Sequence, residues 1–128
     1  MKAGGSVITW GDKYEGGDSS TVSALLSSDV EQVVGTWYAF AARKQNGSIV
    51  TWGNADAGGD SSSVRSRLLG NVVLVSATGA AFAAVKQDGS VITWGDDRYG
   101  GVSSTVRAFL SSDVENVVGT SCAFAARK

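Results

Sequence analysis

Apolar and polar positions follow one another along this chain in short runs, and the runs recur. Residues 6–10 read Ser-Val-Ile-Thr-Trp. They are β-branched and aromatic, which predicts a strand. Val22, Leu25 and Leu26 follow at helical spacing behind Ser19 and Ser20. That predicts one or two helical turns with a serine cap, or an irregular loop with the same anchors. Val30, Val33 and Val34 mark a second strand that ends near Gly35. Residues 39–44, Ala-Phe-Ala-Ala-Arg-Lys, mark a third. Alanine is a weak strand former, but its small side chain lets sheets pack closely. Asn46-Gly47 comes next, and Asp88-Gly89 repeats the signal later. Asx-Gly between two strand patterns predicts a type I′ hairpin, with φ > 0 at both central residues. The third strand of one cycle should therefore pair antiparallel with the first strand of the next.

The cycle is regular. Gly-Ser-Val-Ile-Thr-Trp-Gly starts at Gly5 and again at Gly89, with Gly-Ser-Ile-Val-Thr-Trp-Gly at Gly47, a spacing of 42. Gly16-Gly17 returns as Gly58-Gly59 and Gly100-Gly101, and Phe40 returns as Phe82 and Phe124. Three repeats, 5–46, 47–88 and 89–128, make a single repeat domain over 1–128. Mostly-β units of about 40–45 residues suit propeller blades, whereas β-solenoid coils are shorter and a helical repeat would lack the Asx-Gly hairpins. The expected fold class is all-β, with three propeller blades per chain, each carrying a short helical turn or loop. Trp10, Trp52 and Trp94, with Phe40, Phe82 and Phe124, are expected to form the blade-to-blade core. Each such ring buries about 150–250 Å².

Read in order, the unit is Ala-Phe-Ala-Ala, Lys, Asp-Gly, Ser-Val-Ile-Thr-Trp-Gly-Asp, Gly-Gly, Ser-Ser, then spaced valines and leucines. It resembles the repeat of the regulator of chromosome condensation family. That repeat joins an aliphatic strand, a turn ending in Asp-Gly, a strand ending in Trp-Gly, a Gly-rich loop and a valine-rich return strand. The resemblance covers the whole chain, three times over. It implies a β-propeller, of about seven blades in the family. The Gly-rich loop differs from the family's Tyr-Gly-Gln-Leu-Gly: here it is Glu15-Gly16-Gly17-Asp18, Ala57-Gly58-Gly59-Asp60 and Tyr99-Gly100-Gly101-Val102. Tyr38, Ala80 and Cys122 stand near the point where the family often has histidine. The founding member's nucleotide-exchange activity depends on segments outside the bare repeat, and nothing here matches them. The resemblance implies the fold and not that activity.

Composition narrows the chemistry. The 128 residues hold 11 Lys+Arg and 12 Asp+Glu, a formal net charge of −1. Such a balance points away from nucleic acid and anionic membrane as partners. With no histidine, a Ser-His-Asp triad cannot be built, so no enzyme is expected, and no cofactor or metal. Gly-Gly-Asp near Asp12, Glu15, Asn54 and Asp56 is similar to oxygen-rich Ca²⁺ loops, but Val102 breaks the pattern in the third repeat. Seventeen glycines without a proline fit tight turns. Cys122, the sole cysteine, allows no disulfide within the chain and reads as small filler. No run of 18 apolar residues and no signal-peptide pattern occur, which favours a cytoplasmic location. Asn46-Gly47-Ser48 matches a glycosylation sequon but reads first as a turn. Arg43, Lys44, Lys86, Arg127 and Lys128 read as solvated strand ends that discourage sheet aggregation.

The informative residues are those that change between repeats. Lys13-Tyr14-Glu15 becomes Ala55-Asp56-Ala57 and then Asp97-Arg98-Tyr99, and Trp37-Tyr38 becomes Gly79-Ala80 and then Ser121-Cys122. Binding residues concentrate on loops carried by a rigid scaffold. Tyr14, Trp37, Tyr38 and Tyr99 are the candidates for an exposed recognition patch. The expected function is a non-enzymatic scaffold that binds a protein partner through these loops. The alternative is a lectin-like propeller in which Trp37 or Tyr38 stacks on a carbohydrate. Three blades are too few to close a ring, and uncapped terminal repeats leave open faces. Lys128 stands in the register of Lys2, so residues 123–128 lack a following strand and residues 6–10 a preceding one. Each end is the other's missing partner. The expectation is a head-to-tail homo-oligomer: a dimer of six blades first, a trimer second, an open fibre third.

Overall fold

The structure is a computed structural model that describes residues 5–11, 19–100 and 110–128. Among the described residues, eight strands form three antiparallel sheets: β1 (Val30–Gly35), β2 (Ala39–Lys44) and β3 (Ile49–Gly53); β4 (Val72–Ala77), β5 (Ala81–Lys86) and β6 (Val91–Gly95); β7 (Asn116–Gly119) and β8 (Phe124–Arg127). Helical structure among the described residues is limited to short 3-10 turns such as Ser20–Val22 and Ser62–Arg67. The fold is all-β.

The pairing across the repeat boundary is as expected. Ala39 pairs with Gly53, Phe40 with Trp52 and Ala42 with Val50. One period later, Ala81 pairs with Gly95, Phe82 with Trp94 and Ala84 with Ile92. The turn that joins these strands is not type I′. Gly47 has φ 81 and Gly89 φ 83, but neither Asn46 nor Asp88 has positive φ. The Gly47 N–H donates to the Lys44 carbonyl at 2.8 Å, and the Lys44 N–H donates to the Ser48 carbonyl at 2.9 Å. This is a type I turn closed by a left-handed glycine, the three-residue hairpin. The Asx side chain then takes a different job from the one expected. Asn46 Oδ1 accepts from the N–H and Oγ of Ser48, and Asp88 Oδ1 does the same for Ser90.

Alanine in the central strands has a clear packing reason. Each complete sheet is covered on both faces. In β2, Ala39 and Ala41 face the layer shared with the second sheet, while Ala42 and the half-buried Phe40 face the opposite layer. In β5, Phe82 and Ala84 join the first of these layers, and Ala83 and Val85 join the layer shared with the third sheet. A large ring on one face and methyls on the other let neighbouring sheets approach closely. Phe82 stacks on Trp94 at 5.4 Å between ring centroids, and Phe40 stacks on Trp52 at 5.5 Å. The Trp94 indole N–H donates to the Gly58 carbonyl at 3.1 Å, tying the second sheet to the loop after the first.

Two expectations change here. Ser19 and Ser61 sit at the N-caps of their 3-10 turns but make no capping bond. Their hydroxyls instead meet Thr9 Oγ1 at 2.8 Å and Thr51 Oγ1 at 2.9 Å. A strand residue and a loop residue are thus pinned together, which fixes the loop against its strand. The tryptophan series is also not uniform. Trp52 and Trp94 are 3% and 2% exposed, but Trp10 is 83% exposed. Residues 6–10 belong to none of the three sheets, and among the described residues no strand lies beside them. They still take the outer-strand position. The Val7 N–H donates to the Leu26 carbonyl at 2.8 Å, as Ile49 does to Leu68 and Val91 to Leu110, each at 2.9 Å. The Gly5 carbonyl accepts from the Val30 N–H at 2.9 Å, as Gly47 does from Val72 and Gly89 from Val114.

Candidate recognition face

Loops between strands bring three of the four candidate aromatics together. Trp37 and Tyr38 lie in the turn between β1 and β2, closed by the Thr36 N–H donating to the Ala39 carbonyl at 2.8 Å. Tyr99 ends the short 3-10 turn Asp97–Tyr99 of the third repeat. The Trp37 ring meets Tyr99 edge-on at 5.6 Å and Tyr38 at 6.5 Å. Trp37 is 53% exposed and Tyr38 41% exposed. Tyr99 is only half-buried in the other sense: its ring also packs against the core layer between the first two sheets. It anchors the patch more than it presents it. Tyr14 lies outside the described residues.

Gly79 makes this meeting possible. It occupies in the second repeat the place of Trp37 in the first. A Cβ there would stand 2.7 Å from Trp37 Cε2, so the indole rests directly on the Gly79 backbone. The Trp37 N–H donates to the Gly79 carbonyl at 2.8 Å, and the Gly79 N–H donates to the Ser121 carbonyl at 2.8 Å. One position earlier, Thr36 Oγ1 donates to the Ala57 carbonyl at 3.0 Å and Thr78 Oγ1 to the Tyr99 carbonyl at 2.7 Å. These side-chain bonds tie each β-turn to the loop of the following repeat. Gly79 and the threonines carry no chemistry that would mark them in a sequence. Only their position, one period from Trp37 and from each other, could have pointed to them.

Beside the aromatics runs a polar cleft between the loops of the second and third repeats, lined by Asp56, Asp60, Ser63, Asp96, Asp97 and Arg98. Hydrogen bonds from Arg98, first its side chain and then its backbone N–H, hold the Asp96 carboxyl below the usual carboxylate range. The Arg98–Asp96 pair, 3.0 Å apart, in turn raises the guanidinium's pKa. Ser62 lowers Asp60 in the same way, by side chain and then backbone. The cleft is thus charged and solvated at neutral pH.

The basic strand ends are spent on their own repeats. Lys44 Nζ donates to the Leu25 carbonyl at 2.6 Å and Lys86 Nζ to the Arg67 carbonyl at 2.8 Å. Arg43 pairs with Glu31 at 2.9 Å and Arg127 with Glu115 at 3.7 Å. Cys122 is exposed at the end of the third sheet. The Trp37 surface gathers aromatic side chains of the first and third repeats over the Gly79 backbone of the second. No protein-family model matches the chain, and no curated protein matches it.

Proposed function

We propose that the chain is a three-blade portion of a β-propeller, a non-enzymatic scaffold that assembles head-to-tail with further copies and offers its variable loops to a partner. The resemblance to the regulator of chromosome condensation repeat supports the propeller reading. So does the two-sided burial of successive antiparallel sheets. The observation that carries the assembly is a pair of matching vacancies. Among the described residues, β8 has β7 on one side and no strand on the other, whereas β2 and β5 each have two neighbours. Residues 6–10 hold the outer-strand position with no inner strand beside them among the described residues. Unpaired edges of this kind seek pairing. Light scattering at micromolar concentration tests the reading: the expected mass is twice 13.1 kDa. A concentration-independent mass of 13.1 kDa would contradict it.

The lectin-like alternative draws on the half-exposed Trp37 ring framed by Tyr38 and Tyr99. Tryptophan emission read against a glycan panel separates the two. Quenching by one sugar class that disappears in Trp37→Ala favours the lectin.

A further inference from the structure

Resting on the head-to-tail reading, we propose that the open edge of β8 is a docking site for residues 5–11 of a second copy of this chain, in one defined register. The partner is named by the chain itself. The strand that fills the corresponding edge of β5 is residues 89–95, Gly-Ser-Val-Ile-Thr-Trp-Gly, and residues 5–11 have the identical sequence. The structure therefore already contains this junction, made within one chain.

Shifting the β5–β6 pairs by whole periods gives the register. Phe82 opposite Trp94 becomes Phe124 opposite Trp10 of the partner subunit. Ala83 opposite Thr93 becomes Ala125 opposite the partner subunit's Thr9, and Ala84 opposite Ile92 becomes Ala126 opposite the partner subunit's Ile8. The β2–β3 pairs give the same result. Hydrogen bonding alternates along such a ladder. Lys86 N–H to Ser90 O and Asp96 N–H to Ala80 O set the phase in the second sheet. Phe124 and Ala126 therefore aim their backbone groups at the incoming strand, while Ala125 stands in a non-hydrogen-bonded pair.

Side chains fit the same docking. Trp10 is 83% exposed in the single chain. In this register its ring lands on Phe124, as Trp52 and Trp94 land on Phe40 and Phe82. The receiving cleft is mostly apolar, lined by Ala83, Val91, Val117, Phe124 and Ala126, with Asp97 and Arg98 also in its lining. At the other end, Val7, Trp10, Val33, Phe40 and Trp52 line a second apolar cleft. The outer face of the third sheet, where Val118 and Ala125 are exposed, closes that cleft in the partner. The backbone chain from Trp37 to Gly79 to Ser121 also continues, from the Ser121 N–H to the carbonyl of Trp37 of the partner subunit. Docking therefore places the variable loops of both copies on one face.

Disulfide trapping tests the register. Opposed residues in an antiparallel pair have Cα atoms about 4.5–5.5 Å apart, within the disulfide range. In a Cys122→Ser background, oxidation of Thr9→Cys/Ala125→Cys should give a covalent species of twice 13.1 kDa or its multiples. Ile8→Cys/Ala126→Cys, in the same register, should do so as well and guards against the loss of the Thr9–Ser19 contact. The offset pair Thr9→Cys/Ala126→Cys puts the two sulfurs on opposite faces and should not cross-link. Cross-linking of the offset pair alone, with the assembled mass intact, overturns the register and leaves the assembly standing. A disulfide formed within one chain overturns the second copy as occupant. A monomeric mass for all variants and for the parent overturns both this inference and the assembly.

Discussion

The junction between the first and second sheets and the two junctions at the ends are built from nearly the same residues, and they differ in one respect. In the middle, both sides are complete. Trp94 and Phe82 are closed over by Ala39, Ala41, Ala57 and Leu68, and almost nothing of them remains exposed. At the N-terminal end the same heptapeptide leaves Trp10 in solvent. At the C-terminal end Ala125 and Ala126 are exposed, although Ala83 and Ala84, one period earlier, are fully buried. The heptapeptide is the same at both places, and the neighbouring unit decides both its strand pairing and its burial. A repeat that cannot bury its own faces has stability only in an array.

This contrast can be broken at several points. The largest effect belongs to tryptophan. Trp52→Ala removes a buried, stacked ring and should destabilise the protein by about 3–5 kcal/mol. Trp10→Ala, measured by thermal or denaturant unfolding of the dissociated chain, should change stability by less than about 0.5 kcal/mol. Equal losses would mean that Trp10 is already covered in the single chain.

Threonine gives the next contrast. Thr78 is buried and bonds the Tyr99 carbonyl of the next repeat, whereas Thr120 bonds Ala123 within its own turn. Thr78→Val should cost about 1–3 kcal/mol by leaving that carbonyl without its donor. Thr120→Val should cost less than about 0.5 kcal/mol in the dissociated chain. Tyrosine comes third. Tyr99→Ser loses the edge contact with Trp37, and such aromatic pairs contribute about 0.5–1.5 kcal/mol beyond area burial. Tyr38→Ser, at the exposed rim, should fall below about 0.5 kcal/mol. A silent Tyr99→Ser would return this residue to the exposed patch.

The smallest contrast is between two copies of one turn. Asp88 and Asn46 accept the same two bonds from serine, but only Asp88 titrates. The Ser90 side chain and backbone lower its pKa from the ordinary aspartate value. A depressed carboxyl contributes stability above its unfolded pKa, and the contribution is lost as pH falls through the folded value. Asp88→Asn should flatten that acid dependence slightly, and Ser90→Ala should move the Asp88 titration midpoint, read by NMR, back up. A midpoint that stays put in Ser90→Ala would show that the serine does not hold the carboxylate.

Much of this was legible in the chain. Asn46-Gly47 placed the hairpin and the antiparallel pairing of β2 with β3. The turn type was not legible, because Gln45 joins the loop and Asn46 stays out of the left-handed region. Ser19 reads as a cap in the sequence; the competing partner, a threonine ten residues earlier, shows only once the two segments lie side by side, as they do again at Ser61. Of the candidate site, the residues were legible and their meeting was not. Trp37 and Tyr99 are brought together by sheet-to-sheet packing over Gly79, a contact with no local signature. The unequal burial of Trp10 also needed the third dimension. Periodicity assigns it the role of Trp52, whereas among the described residues its ring stays exposed.

Hydrogen exchange at the β8 edge tests the central claim most directly. Phe124 and Ala126 correspond to Phe82 and Ala84, whose backbone groups are paired with β6. Dilute chain should exchange the Phe124 and Ala126 amides quickly. At concentrations that support assembly, both amides should slow towards the rates of Phe82 and Ala84, together with Ile8 and Trp10. Fast exchange at Phe124 and Ala126 at every concentration, with Phe82 and Ala84 protected throughout, would contradict the account.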